Sequence, residues 1–124
     1  MNIGVSTASL YPVPTEIALE KIGKSGIKTT EVFFNAESEL KPAFTDILLD
    51  IKEEYDLNIT AVHPTASFAE PFMIFTEYER RFYDSLRTFS NYSEIAAKLG
   101  ARYIILHGGR QTLNMSDEEY CERY

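Results

Sequence analysis

The stretch "ARYIILHGGR", residues 101–110, decides how this chain is read. An apolar run beginning at Tyr103 stops on His107, and Gly108 and Gly109 follow at once. An earlier stretch, "NITAVHPTAS" (58–67), has the same construction: apolar residues, then His63, then a turn in which Pro64 holds His63 extended. The chain has 2 histidines, and both stand at the same place in the same kind of element. Short aliphatic and β-branched runs bounded by turn residues read as buried strands. If the two strands are parallel, both imidazoles lie at one rim of one sheet.

The flanking sequence supplies the parallel arrangement. "NIGVSTA" (2–8) reads as the first strand. A helix follows over "PTEIALEKIGKSG" (14–26), with Thr15 as its cap and Ala18, Leu19 and Ile22 on one face. Gly26 suits the left-handed position that closes such a helix. "KTTEVFFN" (28–35) is the second strand. "KPAFTDILLDIKEEYDL" (41–57) is amphipathic, with Phe44, Ile47, Leu48, Ile51 and Tyr55 on one stripe. After the third strand comes a connection over 65–79, whose Phe68, Phe72, Met73 and Phe75 pack on the helices or cover a pocket. A long helix from Arg81 to Leu99 turns Phe82, Leu86, Phe89, Ile95, Ala96 and Leu99 inward and ends at Gly100. Tyr78, Tyr83, Tyr92 and Tyr120 read as helix-surface or interface residues. The last segment, "SDEEYCERY" (116–124), opens with Ser116 and Glu119 in the spacing of a capping box. Strands that alternate with helices require right-handed crossovers and a parallel sheet, so the chain is α/β with four βα units.

Composition narrows the class. A length of 124 residues suits a single domain, 1–124. One cysteine, Cys121, excludes an internal disulfide framework and fits a reducing compartment. The opening "MNIGVSTASLYP" lacks the basic and apolar regions of a signal peptide, and no apolar run approaches a membrane span, so the expectation is a cytoplasmic protein with no membrane partner. The formal net charge is −7 and the basic residues are scattered, which argues against nucleic acid as a partner and for a small molecule.

An open doubly wound sheet and a (β/α) barrel share this element order, and both gather ligands at the carboxyl ends of their strands. Those ends carry Ser6 and Thr7, Glu31 and Asn35, His63, and His107. The first strand is followed by neither G-x-G-x-x-G nor a P-loop, so the nucleotide-binding sheets lack their motif. A flavodoxin-like signalling domain would want paired acids where Ser6 and Thr7 stand.

Taken in order, "IGVSTASLYP", "TEVFFN", "ITAVHPTAS" and "ARYIILHGG" resemble the N-terminal half of the xylose-isomerase-like TIM-barrel superfamily, which includes sugar and sugar-phosphate isomerases and epimerases and the endonuclease IV type of repair enzyme. The resemblance covers about residues 1 to 113 and four of the family's eight βα units. It implies a (β/α) TIM-barrel type of fold, a half barrel with parallel strands. In the endonuclease IV branch the histidines ending strands three and four bind a divalent metal, and His63 and His107 match those positions. Glu31 matches an acidic position common near the end of strand two. In the isomerase branch the metal ligands come from strands five to eight, which this sequence does not contain. The resemblance therefore implies the N-terminal part of an isomerase or epimerase that moves a proton next to a carbonyl, with Mn²⁺, Zn²⁺, Mg²⁺ or Co²⁺ as cofactor. An endonuclease IV-like phosphodiesterase and a catalytically inactive half barrel that binds a small molecule are the alternatives.

Each candidate residue also has a plainer reading. His107 either ligates a metal or substrate oxygen, or is a core histidine satisfied by a carbonyl. His63 has the same two readings. Glu31, inside an apolar strand, either faces a ligand or pairs with Lys28 or Arg102. Arg110 meets a phosphate or carboxylate of the substrate, or is a solvated loop residue. Cys121 has no paired base and reads as inert. A half barrel leaves open edges at its first and fourth strands, so the chain is expected either as part of a barrel of about 250 residues or as a homodimer that completes one.

Overall fold

Alternation within the second strand separates the layers. In the computed structural model, which describes residues 3–64, 69–108 and 116–123, β2 (Thr29–Phe33) alternates half-buried with fully buried residues. Val32 and the following Phe34 join Leu19, Leu48, Tyr92, Ile95 and Leu99 in one core between sheet and helices. Glu31 and Phe33 point the other way, as a pleat of period two requires. The remaining strands are β1 (Gly4–Ser6), β3 (Asn58–His63) and β4 (Tyr103–Ile104). The helices are α1 (Thr15–Lys24), α2 (Pro42–Tyr55), α3 (Glu70–Ile74), α4 (Glu79–Leu99) and α5 (Asp117–Arg123).

All three strand pairings are parallel, and the spatial order is β1-β2-β3-β4. A doubly wound sheet reverses its order at a switch point, and this one does not. Sequential order with a helix after each strand is the arc of a (β/α) barrel, so the four units form half of one.

Several local expectations are corrected. β1 ends at Ser6, and a 3₁₀ helix over Thr7–Leu10 takes its place, capped by the Ser6 hydroxyl. β4 has 2 residues, although Arg102 and Ile105 add backbone bonds to Thr60 and Val62 on either side. A further 3₁₀ helix, Glu37–Leu40, and α3 lie in segments read as connections. Thr15 does not cap α1. Pro14 holds that position, and the buried Thr15 hydroxyl instead reaches the Phe33 carbonyl and the Glu39 carboxylate. Ile47 and Leu86 are exposed rather than inward. Tyr92, read as a surface residue, is buried, because it shares the i, i+3, i+4, i+7 stripe of Ile95, Ala96 and Leu99 and packs edge-on against Phe34.

Other expectations hold. Gly26 and Gly100 have φ of 83° and 74°, the left-handed geometry expected at the two helix ends. The Lys52 ammonium donates to the Leu99 carbonyl at 2.7 Å, satisfying one of the free carbonyls of α4. Ser116 and Glu119 close the capping box in both directions, at 2.8 and 3.2 Å. The backbone N–H and hydroxyl of Ser116 hold the Glu119 carboxyl below its ordinary value. Cys121 is free and exposed.

Gly23 marks where α1 crosses α2. A Cβ built there would lie 2.5 Å from the Tyr55 ring. Replacing a helical glycine by alanine normally stabilises by about 1 kcal/mol. Here Gly23→Ala is expected to destabilise by about 1–3 kcal/mol, because the Tyr55 ring must shift in a packed interface. The sign should revert to stabilising in a Tyr55→Ala background. Urea unfolding of the two single variants and the double variant measures the coupling, and a stabilising Gly23→Ala in the parent chain would refute the packing argument.

Candidate functional site

The site begins with a register change. β2 and β3 pair Thr30 with Ile59, but the next pairs are Glu31 with Ala61, Val32 with Val62 and Phe33 with His63. Thr60 is an extra residue, a β-bulge in a parallel ladder. Its hydroxyl donates to the Thr30 carbonyl at 3.2 Å. Strict alternation from the buried Ile59 would send Val62 to the inner face and His63 into the helix core. The bulge reverses this: Val62 is fully buried in the core, and His63 stands on the inner face beside Glu31.

The inner face then reads across the sheet. Ser6, Glu31, Ala61 and Tyr103 form one row, and Phe33 and His63 stand one step nearer the rim. The Ser6 hydroxyl donates to Glu31 Oε1 at 2.8 Å. His63 Nδ1 lies 3.4 Å from the same oxygen, and the Phe33 ring meets the imidazole edge-on at 4.6 Å. His107 stacks on His63 with ring centres 5.2 Å apart and planes inclined by 26°. Its Nδ1 is 3.1 Å from Glu70 Oε2, and its backbone N–H donates to that oxygen at 2.9 Å. Each imidazole thus has Nδ1 against a carboxylate. An ionised carboxylate only accepts, so the arrangement favours the Nδ1–H form and leaves the lone pair on Nε2.

Three expected residues, Glu31, His63 and His107, therefore come together at one rim. Arg110 falls outside the described residues, as do Gly109 and the 65–68 part of the connection. The ion pairs considered for Glu31 do not form: Lys28 instead donates to the Tyr55 carbonyl and approaches Asp56, at the far end of the strand. Thr7 and Asn35, also noted at strand ends, are structural. The Thr7 hydroxyl bridges the Phe33 backbone, and the Asn35 amide donates to Thr15. Gly108 is open, since an added Cβ would meet nothing within 4 Å.

Ser6 and Glu70 complete the cluster. Ser6 was visible as a strand-end polar residue. Glu70 was not, because an acid in a long connection carries no periodicity to place it.

The donor chemistry partly suits a divalent ion. Carboxylate-backed imidazoles are the common form of metal-ligating histidine. His63 Nε2 is buried and has no hydrogen-bond partner among the described residues. Among the described residues, however, no group of three or more His, Cys, Asp or Glu side chains is arranged to hold a metal. The chain thus brings two nitrogen donors to a site that ordinarily needs three or four ligands.

No protein-family model and no curated protein matches this sequence significantly. Among solved structures, the chain is similar to one described as the crystal structure of a D-tagatose 3-epimerase-like protein, with a TM-score of 0.76 and 21% sequence identity. The match covers 99% of this chain and 44% of that one, so this chain spans less than half its length. The likeness establishes the fold, half of a (β/α) barrel. Among the described residues no helix is long and apolar enough to cross a membrane.

The bulge makes an unusual deletion tolerable. Removing one residue from a paired strand normally turns every later side chain over. Removing Thr60 should instead leave a regular strand with His63 still beside Glu31, at a cost of about 1–2 kcal/mol for the hydrogen bonds lost. Deleting Val32 from the unbulged partner should abolish cooperative unfolding. Thermal melts, with NOEs between His63 and Phe33, check this; equal damage from the two deletions would contradict it.

Proposed function

We propose that the chain forms the N-terminal half of a sugar or sugar-phosphate isomerase or epimerase of the xylose-isomerase-like superfamily. One observation carries the reading: two carboxylate-backed imidazoles stacked at the carboxyl rim of adjacent strands, in a fold like that of a D-tagatose 3-epimerase-like protein. His63 and His107 each offer an Nε2 lone pair, able to accept a hydrogen bond from a sugar hydroxyl or to ligate Mn²⁺, Zn²⁺, Mg²⁺ or Co²⁺. Such an ion, when bound, would polarise a ketose carbonyl and the neighbouring hydroxyl. Glu31 orients His63 and adds negative charge beside the substrate. Arg110, just past the glycines, would take the phosphate of a sugar phosphate. The carboxylates that move the proton belong, on this reading, to further βα units of a complete barrel.

A second reading rests on the count of two donors. A half barrel exposes the edges of β1 and β4, and two copies joined edge to edge would bring four imidazoles to one mouth. That assembly binds a metal or a small molecule without catalysis. An endonuclease IV-like phosphodiesterase would use the same histidines, but the net charge of −7 disfavours a DNA partner.

Co²⁺ titration followed by visible absorption, run beside gel filtration with light scattering, separates these readings. Binding is expected, weakened at least tenfold by His63→Ala and by His107→Ala, and ketohexoses should perturb the cobalt spectrum. A cobalt-binding dimer that ignores ketoses favours the binding module. A monomer that binds neither metal nor ketose excludes both.

A further inference from the structure

Glu70 is fully buried, yet it sits in the connection between β3 and α4 rather than in the core. Among the described residues its Oε1 has no partner, while its Oε2 meets both the backbone N–H and ring Nδ1 of His107. A buried carboxylate with one idle oxygen is an expensive way to anchor a loop. A backbone carbonyl could have accepted either bond. What the carboxyl group adds is one acceptor oxygen on a side chain long enough to meet backbone and ring at once, which sets rotamer and tautomer together.

The geometry explains why His107 needs this and His63 does not. His63 is held by the ladder of β3, by Phe33 and by Glu31. β4 ends at Ile104, and the last backbone bond to β3 is from Ile105 to Val62. Residues 106–108 are outside the sheet, and the His107 side chain is 46% exposed. Glu70 replaces the missing ladder with one bond to the backbone and one to the ring. The outcome matches the His63 side, where Glu31 Oε1 likewise serves the imidazole and a second donor, Ser6.

We infer that Glu70 is a positioning residue of the rim site, which holds His107 as the Nδ1–H tautomer stacked on His63, so that the start of α3 is part of the site. That the free Nε2 pair meets a metal or sugar rests on the function proposed above; the positioning itself does not.

The test uses the chain labelled with ¹⁵N-histidine, free of metal and sugar, with imidazole tautomers read by long-range ¹H–¹⁵N correlation. In the parent chain His107 should be one tautomer, with Nδ1 protonated. Glu70→Ala should give a mixture, with His63 and the far-ultraviolet circular dichroism unchanged. Glu70→Gln keeps an acceptor oxygen and should restore the single tautomer. Glu70→Asp keeps the carboxyl group but shortens the reach and should again give a mixture, which secures the test should the alanine variant unfold. Co²⁺ affinity should fall at least tenfold in the alanine and aspartate variants and less in the glutamine variant. A single Nδ1–H tautomer in Glu70→Ala or Glu70→Asp overturns the inference, because a purely structural role would lower the melting temperature and leave the tautomer alone. If the tautomer responds but even the parent chain binds neither Co²⁺ nor a ketohexose, the positioning role stands and the proposed function fails.

Discussion

The rim site depends on one extra residue in a central strand. Thr60 lets β3 satisfy two demands that a regular strand would set against each other. Ile59 and Val62 must both face the helices, where they join Val32 and Leu99 in the core. They stand three positions apart, an odd spacing that a period-two pleat cannot serve. The bulge absorbs the mismatch, and His63 is carried to the inner face as a consequence. Packing therefore specifies the site: the apolar core rejects the alternative register, since that would bury an imidazole among aliphatic side chains and turn Val62 toward the barrel interior.

Once both imidazoles share a face, electrostatics decides what they can do. Two cationic imidazoles at stacking distance would repel, and two unsupported neutral ones would be free to change tautomer. Glu31 and Glu70 approach from different parts of the chain, one in a neighbouring strand and one in the connection after β3, and each places a carboxyl oxygen against an Nδ1. The two are not equivalent. Glu31 is partly exposed and shared with Ser6, whereas Glu70 is wholly buried. The His63 side is thus built into the sheet, while the His107 side depends on Glu70, which lies outside it. The same contrast appears in the rings, with the His63 side chain 15% exposed and that of His107 46%.

Much of this was legible in the sequence, for identifiable reasons. The parallel sheet followed from strands alternating with helices, and Gly26, Gly100 and the Ser116–Glu119 pair marked helix ends by local chemistry that tertiary structure left intact. Glu31, His63 and His107 could be grouped because strand ends of a parallel sheet share a rim. What failed to show was whatever depends on contacts between elements. Thr15 has the right residue type for a cap, but Phe33 and Glu39 compete for its hydroxyl. Tyr92 is amphipathic, and although it shares a helix stripe with Ile95, Ala96 and Leu99, residue type alone did not show that Phe34 would pack against it. The bulge at Thr60 left no composition signal, since threonine is an ordinary strand residue. Strict alternation applied to "NITAVH" would have turned His63 the wrong way, and its grouping with Glu31 rested on its place at the strand end instead.

The sequential strand order ties these features to the architecture. In a reversing sheet β3 and β4 need not be neighbours, and the two histidines would have no reason to touch. In a barrel arc each strand's carboxyl end is adjacent to the next, so ligands accumulate around a ring and each βα unit contributes about one group. Four units here contribute Ser6, Glu31, His63 and His107, with Glu70 supporting the last. Two of those are nitrogen donors backed by carboxylates, and a carboxylate that backs a donor is not itself free to ligate. A divalent ion would therefore find half its usual coordination on half a ring. Among the described residues β1 and β4 are the outer strands of the sheet, so any strand that paired with either would also extend the ring of strand ends on which these groups stand.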